Sequence, residues 1–135
     1  SRDTLAQVRD VVSDYRKSSL QVEMLNARLA LETAGIKFDF SMGPEALPEK
    51  LDTQLSNILR EGVTNIIRHS DATYCEVSLI KNAQGFHLEI LDDGNAKSYK
   101  EGNGLKGMRE RAQSLGGQFN ISTGNATRLS ILIPV

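Results

Sequence analysis

Glu61, Asn65, Arg68 and His69 lie close together in one stretch of this chain. If that stretch is a helix, steps of four and three stack Glu61, Asn65 and Arg68 on one side, with His69 between that stripe and the apolar face. A carboxylate, an amide and a cation at the edge of a buried face are what a phosphate–metal site requires. Mg²⁺ prefers oxygen ligands, and an Asn carbonyl supplies one without adding charge. Arg68 can neutralise phosphate oxygens, and Glu61 can orient or deprotonate an attacking group. Taken alone, the same stripe also fits a solvated helix face that contains an asparagine.

Two glycine-bearing segments follow. Asp92-Asp93-Gly94-Asn95-Ala96 comes directly after an apolar run ending at Ile90 and Leu91. An ionised carboxylate at a strand end can accept a hydrogen bond from an exocyclic amine, and the glycine lets the backbone approach a flat ring. Gly102-Asn103-Gly104-Leu105-Lys106-Gly107 precedes a helical pattern. Its backbone N–H groups and the positive end of the helix can close around phosphate. The same string matches the Gly-x-Gly-x-x-Gly dinucleotide fingerprint, which needs a strand just before it and an acid about 20 residues later. Residues 95–101 hold no apolar run, and no Asp or Glu follows Glu110, so that reading fails. A P-loop fails too, because no Gly-x-x-x-x-Gly-Lys-Ser/Thr occurs.

The elements that must position these residues are legible from periodicity. Leu5, Val8, Val12 and Tyr15 predict a helix over 3–16 with a narrow stripe that needs a partner, either its own domain or a dimerisation helix. A helix over 19–34 carries Leu20, Met24, Leu25 and Leu29 and stops at Gly35. Ile36, Phe38 and Phe40 predict a short strand, 41–50 a loop, and Asp52 or a neighbour the start of the longest helix, reaching about 69. Leu51, Leu55, Ile58, Leu59, Gly62 and Ile66 make its core face. A hairpin follows, Cys75–Ile80 and Phe86–Ile90 around a turn at 82–85. Residues 105–115 predict a helix ending at Gly116-Gly117. A last hairpin runs from Phe119 and Ile121 through Gly124-Asn125 to Leu129, Ile131 and Ile133. The order predicts an α/β fold, a two-layer sandwich in which helices cover one face of a mixed, mostly antiparallel sheet.

The bulk numbers bound the function. A chain of 135 residues suggests one domain with little room for a second. A net charge of −1 argues against a main role in neutralising nucleic-acid phosphates. The single cysteine, Cys75, excludes an internal disulfide and fits a reducing compartment. No apolar run approaches the roughly 18 residues of a membrane span. The chain opens at Ser1 in helical pattern without a methionine, which suggests a piece of a longer protein.

Taken in order, these motifs resemble the ATP-binding catalytic domain of sensor histidine kinases, in the gyrase, Hsp90, histidine kinase and MutL superfamily with its Bergerat fold. Leu59 to Ser70 resembles the N box, Asp92-Asp93-Gly94 the first glycine box, and Gly102 to Arg111 the second. The wording Asn65-x-x-Arg68-His69-Ser70-x-Ala72 and Gly102-x-Gly104-Leu105-x-Gly107-Met108-Arg109-Glu110-Arg111 is similar to the NarX/DesK-type branch, whose response regulators usually carry a LuxR-type DNA-binding domain. The resemblance implies that Asn65 ligates Mg²⁺ and Glu61 acts near the γ-phosphate. It implies that Arg68 and His69 contact phosphate or ribose, Asp92 accepts from the adenine amine, and Gly94 lets the ring approach. Gly102, Gly104 and Gly107, with Leu105, would frame the phosphate lid, and Thr127 would join the adenine water network. Ala96 stands where a second glycine is usual, and Ala126-Thr127 where Gly-Thr is common.

The resemblance further implies that 1–18 is the end of a dimerisation and phosphotransfer helix with its linker, and 19–135 the catalytic domain. It implies a homodimeric, membrane-anchored bacterial kinase whose cytoplasmic part includes this chain, with ATP and Mg²⁺ as cofactors and a LuxR-type response regulator as partner. Neither nucleic acid nor membrane is an expected contact of this piece. Only His69 and His87 are present, and neither has the acid-rich helical surroundings of a phosphoacceptor. The acceptor is therefore expected upstream, and this piece is expected not to phosphorylate itself. Two rivals stay in the superfamily: an anti-sigma-factor-like serine kinase and a non-kinase ATP-gated module. A third is an interaction domain that binds no nucleotide.

Overall fold

The computed structural model describes residues 19–94 and 104–134, and of His69 the backbone only. The expected helix over 3–16, Ala96, Gly102 and the segment 97–101 lie outside the described residues. In chain order the elements are α1 (Ser19–Thr33), β1 (Lys37–Met42), α2 (Glu49–His69), β2 (Tyr74–Asn82), β3 (Gly85–Asp92), α3 (Leu105–Ser114), β4 (Gln118–Ser122) and β5 (Thr127–Pro134). The strands form one sheet in the order β1-β2-β3-β5-β4. β1 pairs parallel with β2, and the other pairings are antiparallel. The mixed, mostly antiparallel two-layer sandwich is as the periodicity predicts.

Alternation decides which sheet face is covered. Cys75, Val77 and Leu79 on β2, Phe86, Leu88 and Ile90 on β3, and Leu129, Ile131 and Ile133 on β5 are buried. Glu76, His87, Glu89 and Arg128 point the other way, outside the core. The helices close the core with Leu20, Met24 and Leu31 from α1, Leu51, Leu55, Ile58, Leu59 and Ile66 from α2, and Leu105, Met108 and Ala112 from α3.

Glycine ends two helices by the same device. Gly35 sits at φ 82° and Gly116 at φ 72°, in the left-handed region. The Ile36 N–H then reaches the Leu31 carbonyl at 2.8 Å, and the Gly117 N–H the Ala112 carbonyl at 2.9 Å, the six-to-one bond of a Schellman end.

Two expected boundaries move. β1 continues to Met42, because its parallel ladder with β2 runs on through Ser41↔Ser78 and Met42↔Leu79. α2 starts at Glu49, directly after Pro48, so the expected loop over 41–50 shrinks at both ends. Asp52 is thus not the first residue of α2. Its carboxylate accepts from the N–H groups of Ser19 and Leu20, at the start of α1.

At Gly62, α2 packs on the sheet with no side chain between. A Cβ there would stand 3.0 Å from Ile90 Cδ1 and 3.9 Å from Met108 Sδ. Gly62→Ile is expected to cost about 1–3 kcal/mol through overpacking. Gly62→Ala should stay within about 1 kcal/mol of the parent, because one methyl meets only a side-chain tip and helix propensity improves. Urea unfolding midpoints of the two variants check this; equal midpoints would remove the tight contact from the account.

Candidate functional site

The apolar face of α2 turns a neighbouring stripe toward the start of α3. Asn65 is 4% exposed although polar, Glu61 is half-buried and Arg68 is exposed. Gly104 presses on this stripe: a Cβ on it would stand 2.7 Å from Glu61 Oε2, 3.3 Å from Asn65 Nδ2 and 3.6 Å from Asn65 Oδ1. It also holds φ 86°, ψ −14°, so an L side chain there would be both strained and obstructed. The close approach of Gly104 to Glu61 and Asn65 lies outside what sequence spacing can show.

Gly104 is the N-cap of α3 and offers no side chain to its first turn. The first bond inside this helix is Met108 N–H to the Gly104 carbonyl, 3.0 Å. The N–H groups of Leu105, Lys106 and Gly107 therefore have no intrahelical acceptor, no acid occupies the first turn, and the helix end is positive. Leu105, Met108 and Ala112 are buried and anchor this end to the core beside Glu61 and Asn65. Such an end takes an anion.

The second half of the site is a polar rung at the end of an apolar sheet. Cys75 pairs with Asp92 across β2 and β3, and Asp92 with Thr127 across β3 and β5. All three are buried, in line with Phe38, which pairs with Cys75 from β1. Asp92 Oδ1 accepts from the Gly94 N–H at 2.8 Å and from the Ser70 hydroxyl at 3.3 Å. Ser70 in turn accepts from the Ala72 N–H at 3.0 Å. Burial raises the Asp92 pKa above the ordinary carboxylate value; Gly94 and Ser70 oppose the rise, while Asp93 and Asp71 add to it. The Cys75 thiol is pushed up to about 12, by burial first and then by Asp92, so it stays a neutral, unreactive neighbour. A side chain on Gly94 would strike the Ser70 hydroxyl and come within 2.9 Å of Asp92 Oδ1, so only glycine leaves that carboxylate approachable.

Asp93 does the opposite work. It is exposed, and its oxygens accept from the Thr73 N–H at 2.8 Å, the Tyr74 N–H at 2.9 Å and the Thr73 hydroxyl at 2.6 Å. Partial desolvation pulls its pKa upward, but these donors outweigh it and the net direction is down. It ties the end of β3 to the start of β2.

The described residues thus gather Glu61, Asn65, Gly104, Leu105 and Gly107 in one place and Asp92, Gly94 and Thr127 in the other. Arg68 ends the first stripe near the C-terminus of α2; the His69 side chain and Gly102 lie outside the described residues. Two buried atoms in this set, Asn65 Nδ2 and Thr127 Oγ1, have no hydrogen-bond partner among the described residues. Such groups are costly to leave bare, and a bound ligand or water supplies the partner. No cluster of three or more His, Cys, Asp or Glu forms a metal cage among the described residues. A Mg²⁺ held by one Asn oxygen, phosphates and water needs none, so Asn65 beside Glu61 fits that ion. Spacing alone did not single out Ser70 or separate the roles of Asp92 and Asp93. An Ser-x-Ala pair just after the helix was the available signal.

Comparison with known proteins relates the chain to sensor histidine kinases. The chain is 35% identical over 99% of its length to the sensor histidine kinase DesK of Bacillus subtilis, and covers 38% of that protein. It is 36% identical over its whole length to the sensor histidine kinase YvfT of the same organism, again covering 38% of it. The chain therefore spans about two fifths of the length of these relatives. Among solved structures, the catalytic domain of histidine kinase ThkA superposes with a TM-score of 0.67 at 18% identity, over 86% of this chain and 92% of that one, a likeness of fold. No family model matches.

The neighbouring carboxylates should show opposite pH behaviour. Asp92 has its folded pKa raised, so the folded state is favoured while the group is protonated. That advantage is lost as pH rises from the unfolded carboxyl value, about 3.9, through the folded one. Asp92→Asn removes the loss and should hold or raise the thermal midpoint of the ligand-free protein at pH 7, with the gain vanishing in acid. Asp93 has its folded pKa lowered, so its stabilisation is present above the unfolded value and disappears as pH falls through the folded one. Asp93→Asn should lower the midpoint at pH 7 and matter little in strong acid. Melting curves across pH check the pair; a fall of several degrees in Asp92→Asn at pH 7 would contradict the assignment.

Proposed function

This chain belongs to the sensor histidine kinases, as a catalytic domain, and from that premise we propose that it holds ATP with Mg²⁺ and presents the γ-phosphate to a histidine carried upstream. The observation that carries the reading is a pair of buried atoms without a hydrogen-bond partner among the described residues, Asn65 Nδ2 beside Gly104 and Thr127 Oγ1 beside Asp92.

In this proposal the adenine amine donates to the Asp92 carboxylate, Gly94 admits the ring, and Thr127 completes the water network at the base. The N–H groups at the start of α3, from Leu105 to Gly107, which have no intrahelical acceptor, hold phosphate, with Gly102 and Gly104 framing the lid. Asn65 supplies an oxygen to Mg²⁺, which offsets phosphate charge. Arg68 and His69 contact phosphate or ribose. Glu61, beside Gly104, polarises the group that attacks. The acceptor imidazole is itself the nucleophile: a nitrogen–phosphorus bond forms, the bond to the β-phosphate oxygen breaks, and ADP leaves. Catalysis is then mainly positioning and charge neutralisation.

His87 lies on the outer face of β3, 4.0 Å from Glu89, away from the covered face that carries the site. That supports an acceptor on another segment. The receiver of the phosphoryl group is a LuxR-type response regulator, and the whole protein a homodimer acting on the cytoplasmic side of a membrane. No described helix is long and apolar enough to cross one.

Titration calorimetry with ATP, with and without Mg²⁺, tests the site. Asn65→Ala should weaken Mg²⁺-dependent binding at least tenfold, about 1.4 kcal/mol; unchanged Mg²⁺ dependence would refute the ligand role. Asp92→Asn retains an acceptor for Gly94 but turns an amide N–H₂ toward the base. It should weaken ATP at least tenfold and favour ITP, whose base presents an acceptor there; equal affinity for ATP would remove Asp92 from base recognition. With labelled ATP, the isolated chain should acquire no stable phosphohistidine.

A further inference from the structure

Ser70 links the helix of one half of the site to the carboxylate of the other. It caps the C-terminal end of α2, the helix that carries Glu61 and Asn65, with extended backbone at φ −116°, ψ 150°. Its N–H reaches the Ile66 carbonyl at 3.2 Å. Its hydroxyl oxygen accepts from the Ala72 N–H at 3.0 Å, and its hydroxyl proton goes to Asp92 Oδ1 at 3.3 Å. The Ala72 bond occupies a lone pair and leaves the hydroxyl proton for the carboxylate. Ser70 Oγ, Ala72 N and Asp92 Oδ1 also crowd the point where a Cβ on Gly94 would stand, so the hydroxyl is hemmed in on that side.

The consequence lies in which carboxylate oxygen is engaged. Among the described residues, the side-chain and backbone donors to Asp92 are the Ser70 hydroxyl and the Gly94 N–H, and both fall on Oδ1. Oδ2 is left for another donor. A carboxyl that already accepts twice on one oxygen takes its proton on the other. Protonation would therefore set an O–H donor where an exocyclic amine needs an acceptor, and would suit a carbonyl there instead. Burial raises the Asp92 pKa, and the Gly94 and Ser70 bonds lower it. The like charges of Asp93, next along β3, and Asp71, just after α2, work against those two bonds. Cys75 of β2 is a neutral thiol, and Thr127 of β5 carries no charge. In the last turn of α2 the described side chains are Ile66, Ile67 and the exposed Arg68, and α3 turns Leu105 and Met108 into the core.

We propose that Ser70 is a positioning residue for base recognition: by donating to Oδ1 it leaves Oδ2 as the acceptor presented to the nucleotide, and so makes the site select an amino purine over its oxo counterpart. The selection rests on the proposed ATP-holding role; the link between Ser70 and Asp92 does not.

Calorimetry with ATP and with ITP, each with Mg²⁺ and across pH, tests the selection. The parent should prefer ATP at neutral pH and lose that preference on acidification, as Asp92 takes up its proton. Ser70→Ala removes a bond that favours the ionised carboxylate, so the loss should set in at higher pH. The ratio of ATP to ITP affinity at neutral pH should fall severalfold. Ser70→Thr keeps the hydroxyl and should behave as the parent. Ser70→Cys, with a much weaker donor, should follow Ser70→Ala and carries the test if that variant does not fold. A parent-like ratio and pH profile in Ser70→Ala would overturn the positioning role, because loss of a helix cap alone weakens ATP and ITP alike. Without nucleotide, the Asp92 carboxyl carbon followed by NMR should titrate at higher pH in Ser70→Ala; an unmoved midpoint would break the link itself. If that midpoint moves but the parent binds neither nucleotide, the ATP reading falls, the selection falls with it, and the link stands.

Discussion

The distance between α2 and the sheet is the constraint on which the rest depends, and Gly62 sets it. Without a Cβ at that position, Ile90 of β3 and Met108 of α3 both close on the same point of the helix. α2 then lies low enough for its next stripe, Glu61 and Asn65, to meet Gly104 at the start of α3. A bulky residue such as isoleucine would press on Ile90 and disturb the seating of α2 on the sheet. At Gly104 the side chains of Glu61 and Asn65 stand in the space a Cβ would need. The site is thus assembled by close approaches of backbone, while the polar groups occupy the clefts those approaches leave.

The apolar rows of the sheet end in a polar rung, and that rung costs stability. Asp92 is buried with two modest donors and like charges nearby, and its pKa rises accordingly. Thr127 Oγ1 beside it, and Asn65 Nδ2 in the other half of the site, have no partner among the described residues. A core optimised for stability would fill these positions with apolar side chains. Holding them polar leaves unsatisfied hydrogen-bonding capacity, which is what the proposed nucleotide would use, the expected trade between stability and a preorganised site. Asp93, one residue away, works in the other direction. Exposed and bonded to three donors, it fastens the strand end that keeps Asp92 in place.

Much was legible from local pattern. The period of two in Cys75–Ile80 and Phe86–Ile90, the turn between them, and the buried face of α2 appear where alternation and helical spacing put them. Gly35 and Gly116 mark helix ends because only a left-handed residue completes those bonds. What local pattern misread depended on partners distant in the chain. β1 extends to Met42 because β2 continues to offer ladder partners. Asp52 looks like the opening residue of its own helix, yet its carboxylate is spent on α1, more than thirty residues earlier.

By itself, then, the amino-acid sequence determined the element types, the apolar faces and the ordered motifs Asn65 to His69, Asp92 to Gly94 and Gly102 to Gly107. Each of these follows from spacing along the chain, which sequence displays directly. Only the tertiary structure decided that Asp92 is buried and Asp93 exposed, that Gly104 rests on Glu61 and Asn65, and that Asp52 serves α1. Those outcomes turn on strand register and on the height of α2 above the sheet, and both are set by contacts between residues that the sequence keeps far apart.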